Sequence, residues 1–161
     1  MIKYRINKKQ HQTIHLTQPG EYLVELVGEG AEADITGRYQ AKGKDQLTVK
    51  LTIVHSAPHT RANTSLKGVA GGHSTIKFDG RIIVTPNCPD TNSFLEERIL
   101  LISDTARAEV IPDLEIESDD VKCSHAATIS RIPEEQLFYL MSRGISRPQA
   151  EKLIIEGFLG F

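Results

Sequence analysis

The chain has no helix-length run of 3.6-residue hydrophobic periodicity before residue 133, and this most constrains its fold. Residues 46–54 alternate instead, which places Leu47, Val49, Leu51 and Ile53 on one face. Other short strand-like runs are separated by turn signals, among them Gly71-Gly72, Asp79-Gly80 and Asn87-Cys88-Pro89-Asp90. Many short strands without helical crossovers exclude a doubly wound sheet and leave a sandwich, a barrel or a β-solenoid.

One detail favours the β-solenoid among these three. Several strand-like runs carry small or polar residues on both faces, as residues 62–65 and 70–74 do. A solenoid tolerates this pattern, because each coil pairs with the neighbouring coils rather than with a hairpin partner. The turn signals recur at irregular intervals, so periodicity alone does not decide between the three folds.

The last thirty residues change in character. Pro133 suits the first position of a helix, and Gly144 is typical of a helix stop. Ser146 resembles an N-cap, with Gln149 as its capping-box partner. The sequence therefore predicts a mostly β core over residues 1–130, followed by a C-terminal helical segment over residues 131–161.

Composition narrows the class of protein. A length of 161 residues suits one domain, and a net charge of −2 gives no bulk field for nucleic acid or an anionic membrane. The N-terminus has no apolar signal-peptide core, and no apolar run is long enough for a membrane span. The two cysteines fit a reducing compartment. We therefore expect a cytoplasmic protein.

Cys123-Ser124-His125 is the most suggestive chemical motif. In a strand, residues i and i+2 share a face with Cα atoms roughly 7 Å apart, so thiolate and imidazole can converge on one metal ion or on one sulfur or iron atom of a substrate. A small buried cysteine beside a hydrogen-bonded histidine is the alternative that the motif alone leaves open.

The remaining histidines and Cys88 are weaker candidates for a metal site than Cys123 and His125. The pairs His11/His15 and His55/His59 lie in non-helical sequence, where four steps span about 13 Å, too far for one zinc ion. We interpret them as surface or loop histidines. Cys88 lies in a turn. An iron–sulfur cluster usually takes four thiolates, and the chain has only two cysteines.

The sequence contains no phosphate-binding loop and no hydrolase motif.

Residues 106–116 and 119–125 resemble the C-terminal part of SufB/SufD proteins, core components of the Suf iron–sulfur cluster assembly machinery. Residues 127–130, 135–140 and 142–145 continue the likeness, which is greatest to SufD-like members. The resemblance implies a right-handed parallel β-helix (β-solenoid) core with a short C-terminal helical segment. It also implies pairing of two cores, as a homodimer or with a SufB-like protein.

The same resemblance implies that the C-terminal helices bind the ABC-type ATPase SufC. The docking candidates in this chain are Gln136, Leu137, Phe138, Tyr139, Arg143 and Gly144. It further assigns cluster assembly at the subunit interface to His125, and Cys123 matches the cysteine of the motif. The cargo would be a transient iron–sulfur cluster that one chain does not hold firmly.

Two positions depart from the family pattern. Ala126 stands where SufD-like sequences usually have glycine, and Glu97 or a close neighbour stands where SufB-type sequences have a cysteine. The N-terminal helical region of longer members is also missing. The sequence does not distinguish a natural short form from a piece of a longer protein.

These observations predict a non-enzymatic scaffold subunit of the Suf machinery that partners SufC. A non-catalytic interaction module, which binds SufC or a SufB-like partner without ligating a cluster, is the alternative. A free-standing solenoid metalloenzyme using Cys123 and His125 is the third. The choice of partner, the cluster type and the roles of Cys88 and residues 1–60 stay open.

Overall fold

Ten strands form most of the described residues, and two helices follow them at the C-terminus. The computed structural model describes residues 1–160. The strands are β1 (Ile2–Ile6), β2 (His11–Leu16), β3 (Gly20–Leu26), β4 (Glu32–Ala41), β5 (Gln46–His55), β6 (Arg61–Ala70), β7 (Thr75–Val84), β8 (Thr91–Leu101), β9 (Arg107–Ile116) and β10 (Val121–Arg131). The helices are α1 (Glu134–Ser142) and α2 (Arg147–Leu159).

Successive strands alternate between two parallel sheets. One sheet has the order β1-β3-β5-β7-β9 and the other the order β10-β8-β6-β4-β2. Glu32 lies opposite Arg61, which lies opposite Asn92, which lies opposite Lys122, so each coil advances the chain by about 30 residues. The predicted parallel β-helix is confirmed, with about four turns.

The core fills the space between the two sheets. Strand alternation sends every second side chain inward, as in β7, where Ile76, Phe78, Ile82 and Val84 are all fully buried. Each fully buried aliphatic or aromatic side chain contributes roughly 1.5–3 kcal/mol of hydrophobic stabilisation. The inward stripe of each coil therefore stacks on the stripes of its neighbours to form one continuous core.

Asp79-Gly80 was predicted to be a turn, and that prediction is wrong. Both residues lie in the middle of β7, which continues for ten residues. Gly80 faces inward, and a Cβ atom there would lie 2.6 Å from Leu95 Cδ2 and 2.7 Å from Glu97 Oε1. A glycine inside a strand often marks such a close approach by a neighbouring side chain. Gly80 therefore makes room for side chains of β8.

The two ends of the solenoid differ. At the N-terminal end, the inward residues Ile6, Ile14 and Leu16 are at most 2% exposed, and Ile2, at the start of β1, is 50% exposed. At the C-terminal end, the inward side chains Leu114 and Ile116 of β9 are each 42% exposed, and Ile129 of β10 is 47% exposed. The last coil therefore leaves part of the apolar interior open, and we call this the open end.

The C-terminal helices begin and end close to where the sequence predicts. Gly144 follows α1 with a φ of 86°, and Gln149 Oε1 accepts from the backbone N–H of Ser146 before α2. Pro133 precedes the first helical residue instead of occupying that position. Within residues 1–160, neither helix has the length and apolar character needed to cross a bilayer.

Helix α2 packs on the outer face of the sheet that contains β6 and β8. Leu159 buries itself against Val69 and Leu100, two outward residues of those strands. Lys67 donates a hydrogen bond from Nζ to the Phe158 carbonyl at 2.9 Å. A cation near the C-terminal carbonyls complements the negative end of the helix dipole. The helical segment is thus attached to the central coils.

Candidate functional site

His125 and Cys123 lie on the inward face of β10, the last strand of the open end. In the register of β10 on β8, Cys123 lies opposite Ser93 and His125 opposite Leu95, both of them inward residues. The His125 side chain is 4% exposed. The residue as a whole is only half-buried, because β10 is an edge strand whose backbone reaches solvent.

Glu97 contacts His125 inside the solenoid. The distance between Glu97 Oε2 and His125 Nε2 is 2.7 Å, and the Glu97 side chain has no exposed surface. Glu97 lies two residues beyond Leu95 on β8, which places its carboxylate diagonally across from the imidazole. Such a short contact is typical of a charge-assisted hydrogen bond between a carboxylate and an imidazole N–H.

Two polar atoms of this pair have no hydrogen-bond partner. Glu97 Oε1 and His125 Nδ1 are both buried and unpaired. An unsatisfied buried polar group costs about 1–3 kcal/mol, and more if it is charged. Sites that retain such a cost are often functional. Glu97 Oε1 and His125 Nδ1 are therefore the two atoms of the pair that remain able to bind a metal ion or a proton.

Cys123 extends the same inward row of β10. Its side chain is half-buried, and burial raises the pKa of the thiol above its usual range, although a backbone hydrogen bond from Ser93 acts in the opposite direction. The thiolate is the form that binds metals and attacks sulfur. In this structure Cys123 is therefore a protonated thiol at neutral pH.

The site offers too few ligands for a metal ion in one chain. Among the residues that the structure describes, no three His, Cys, Asp or Glu side chains come together as a metal-binding group. A structural zinc or iron site uses four ligands as a rule. His125, Glu97 and Cys123 of one chain would therefore not hold a metal ion without ligands from elsewhere.

Glu97 was noted in the sequence only as a departure from the family pattern, not as the partner of His125. One signal was available, because Leu95-x-Glu97-x-Ile99 alternates and places a carboxylate among inward apolar residues. The pairing itself joins residues 28 positions apart. It follows from the register between coils, which a single sequence does not reveal.

The other histidines form no common site. His11 Nε2 lies 2.8 Å from Asp34, and His59 Nδ1 lies 2.9 Å from Asp90, both pairs being exposed. His15 Nδ1 lies 2.7 Å from Thr36 Oγ1, also at the surface. The surface or loop interpretation is wrong for His55, which is fully buried. Cys88, in the turn after β7, is buried as well.

The six docking candidates differ in exposure. Phe138 is 75% exposed and Tyr139 58%, and Tyr139 lines an apolar groove with Gln136, Leu140 and Ile154. The Arg143 guanidinium lies over the Tyr139 ring. Gly144 is an exposed residue at the helix end. Leu137 is 2% exposed and packs inward, so a partner would not touch it in this arrangement.

Comparison with known proteins adds the family. Residues 7–158 match the family model described as "SUF system FeS cluster assembly, SufBD core domain". A SufBD family protein of Mycobacterium leprae is 34% identical over 85% of this chain and 37% of its own length. The iron–sulfur cluster assembly protein SufD of Bacillus subtilis is 32% identical over 86% of this chain and 32% of its own length.

A SufBD family protein of Mycobacterium tuberculosis is 31% identical over 83% of this chain and 16% of its own length. The chain thus spans about a third of the first two relatives and less of the third. The family model covers nearly all of the solenoid and both helices. The chain therefore belongs to the SufBD core-domain family of the SUF iron–sulfur cluster assembly system.

Proposed function

We propose that this chain is a non-catalytic, cytoplasmic scaffold subunit for iron–sulfur cluster assembly, with its site at the open end of the solenoid. One observation carries the proposal: His125, unpaired at Nδ1, lies on the same edge strand whose coil leaves Leu114, Ile116 and Ile129 exposed. A partner covering these side chains would bring its own ligands close to His125. The cluster is cargo that two chains hold between them.

The edge of β10 is the better pairing edge of the open end. The odd-numbered residues at both ends of β9 donate toward the coil of β7, as Arg107 does to Ser74 and Glu117, just after the strand, does to Val84. The even-numbered residues therefore donate at the free edge, where Pro112 has no N–H to offer. β10 has eleven residues and no proline. A partner strand could pair along its whole length, either from a second copy or from a SufB-like protein.

The helical segment supplies the proposed contact with a SufC-like ATPase. Phe138, Tyr139, Met141 and Leu153 are exposed apolar residues of α1 and α2, and Tyr139 lines the groove together with Leu140 and Ile154. Exposed apolar surface of this kind is typical of a binding site. Because α2 is attached to β6 and β8, a pull on the helices would reach the strand next to β10. ATP-driven closure of two ATPase subunits would thereby reshape the open end.

The test is reconstitution of the full chain with a cognate SufC-type ATPase, iron(II) and sulfide under anaerobic conditions. We expect His125→Ala to lose most of the cluster chromophore, because the variant removes the free imidazole nitrogen. His15→Ala, which changes an exposed histidine of the outer face, is the matched control and should assemble cluster normally. Wild-type yield from His125→Ala would refute the site.

A second candidate function is an interaction module that binds SufC or a SufB-like partner and ligates nothing. The enclosure of both His125 ring nitrogens and the apolar groove of the helices favour it. The double variant Cys123→Ala/His125→Ala separates the two candidates. Unchanged partner capture, together with no chromophore from either wild type or variant, would favour the module.

A further inference from the structure

Glu97 is the one Asp, Glu, Lys or Arg residue among residues 1–160 that is fully buried. Its carboxylate lies among Leu95, Ile99 and the inward face of β7, where the interior is otherwise mostly apolar. Burying an ionised carboxylate costs several kcal/mol unless it is paired and hydrogen-bonded. Here the one protein partner is His125, and Oε1 has none. Stability alone gives no reason for a carboxylate at this position.

The contact with Glu97 determines which imidazole nitrogen is free. An ionised carboxylate only accepts hydrogen bonds, so with Glu97 ionised the 2.7 Å contact requires a ring proton on His125 Nε2. In a neutral imidazole the other nitrogen, Nδ1, then carries the lone pair. Nδ1 is the atom that the structure leaves buried and without a partner. In that state the pair holds Nδ1 as one oriented, enclosed nitrogen atom whose lone pair is unused.

We propose that Glu97 is a positioning residue for His125, which holds the ring through Nε2 and directs Nδ1 to the iron of the cargo. The inference rests on the proposed function and deepens it. Histidines that bind metals commonly donate their other N–H to a carboxylate, which sets the tautomer, fixes the ring orientation and raises ligand basicity. Glu97 supplies all three effects from inside the solenoid.

Gly80 makes this arrangement possible. The missing Cβ of Gly80 leaves the space that Glu97 Oε1 occupies, since a methyl group there would lie 2.7 Å from that oxygen. Glu97 therefore reaches across the interior from β8 toward β7 while it contacts His125 on β10. Three neighbouring strands of the last coils fix the position of the carboxylate, and through it the ring.

The first experiment needs no cluster. Nitrogen-15 spectra of the labelled full chain should show His125 with a slowly exchanging Nε2–H and an unprotonated Nδ1 at neutral pH. Glu97→Leu should lose the slow exchange, because it removes the acceptor of the Nε2–H. Removing one partner of a buried pair also costs stability, so circular dichroism should first show that the variant is folded, and Glu97→Gln, which keeps an acceptor oxygen, should retain the slow exchange. Glu96→Leu, on the outer face of the same strand, should leave the His125 signals unchanged. A protonated Nδ1 in the wild-type chain would overturn the proposal.

The second experiment is reconstitution with iron(II), sulfide and the ATPase. We expect Glu97→Leu to lower cluster yield about 10- to 100-fold, the range usual for losing the carboxylate behind a ligating histidine. Glu97→Gln keeps an acceptor oxygen and should recover part of the yield. If His125→Ala loses the cluster while Glu97→Leu matches wild type, only the role of Glu97 fails. If both variants match wild type, the proposed function fails as well.

Discussion

His55 is a buried histidine of the solenoid that has no part in the proposed site. The ring is fully buried, and its Nδ1 lies 2.8 Å from Thr60 Oγ1. The Thr60 hydroxyl also lies 3.2 Å from the Ala57 carbonyl, so it links the ring to the turn before β6. Burial lowers the pKa of His55 from 6.5 to about 4. The ring is therefore neutral at physiological pH.

This burial predicts a loss of stability in mild acid. Unfolded chains would protonate His55 below pH 6.5 while the folded chain does not until about pH 4, so the free energy of unfolding should fall between these values. The full loss is about 3 kcal/mol, at 1.36 kcal/mol per pH unit. Urea unfolding at a series of pH values would measure it.

His55→Leu should flatten this pH dependence, because it removes the titrating ring from the core. His11→Leu, at a largely exposed ring on the outer face, should leave the slope as in wild type. A slope that persists in His55→Leu would assign the acid sensitivity to other groups.

The candidate site could be predicted from sequence only where its residues are neighbours. Cys123-x-His125 needs nothing beyond strand alternation to share a face, and both side chains do lie inward. The Glu97 contact depends on which residues of two coils lie side by side. Because the turns differ in length from coil to coil, one sequence does not reveal that register. The role of Gly80 also depends on side chains of another coil, so the sequence alone indicates a turn at Asp79-Gly80.

At the scale of elements, the helices were easier to predict than the strands. Gly144 and Ser146 act within one or two turns of chain, so local sequence predicts them. β4, at residues 32–41, had no prediction, because its outward face is polar and its inward face includes Ala33 and Gly37. Only stacking between coils buries such a strand.

The attachment of α2 depends on few contacts. Leu159 is 1% exposed and anchors the helix on Val69 and Leu100. Leu159→Ala should weaken this contact by about 2–5 kcal/mol, the usual cost of a buried leucine. Hydrogen exchange of α2 amides should accelerate, while exchange in the inner strands of the solenoid stays slow.

Leu153→Ala provides the comparison, because Leu153 lies on the same helix and is 49% exposed. Exchange in α2 should change little in that variant. Equal acceleration in both variants would mean that helix propensity, and not the contact with the sheet, keeps α2 in place.

At the scale of the whole molecule, the exposed end of the core is the main expected interface. Ile129→Lys would put a charge into that interface, where desolvation costs several kcal/mol. We expect the variant to sediment as a monomer under conditions in which the wild-type chain pairs. Ile2→Lys is a matched control, since Ile2 is 50% exposed at the opposite end and Ile129 is 47% exposed.

Two results of this experiment would contradict an interface at the open end. Pairing that survives Ile129→Lys would move the interface away from the open end. Pairing that is lost only with Ile2→Lys would place the contact at the N-terminal coil. Either result would also remove His125 from the shared surface that the scaffold proposal requires.

The difference between the two ends limits how far association can proceed. A solenoid that exposed its core at both ends could stack head to tail, and such open-ended contacts generate fibres. Here the inward residues Ile6, Ile14 and Leu16 are already covered by their own coil, and Ile2 is the large apolar residue of β1 and β2 that stays exposed. Two chains that met through their last coils, as we propose, would leave only the smaller surface around Ile2 for a third. The proposed assembly would then stop at two chains that share one cluster site.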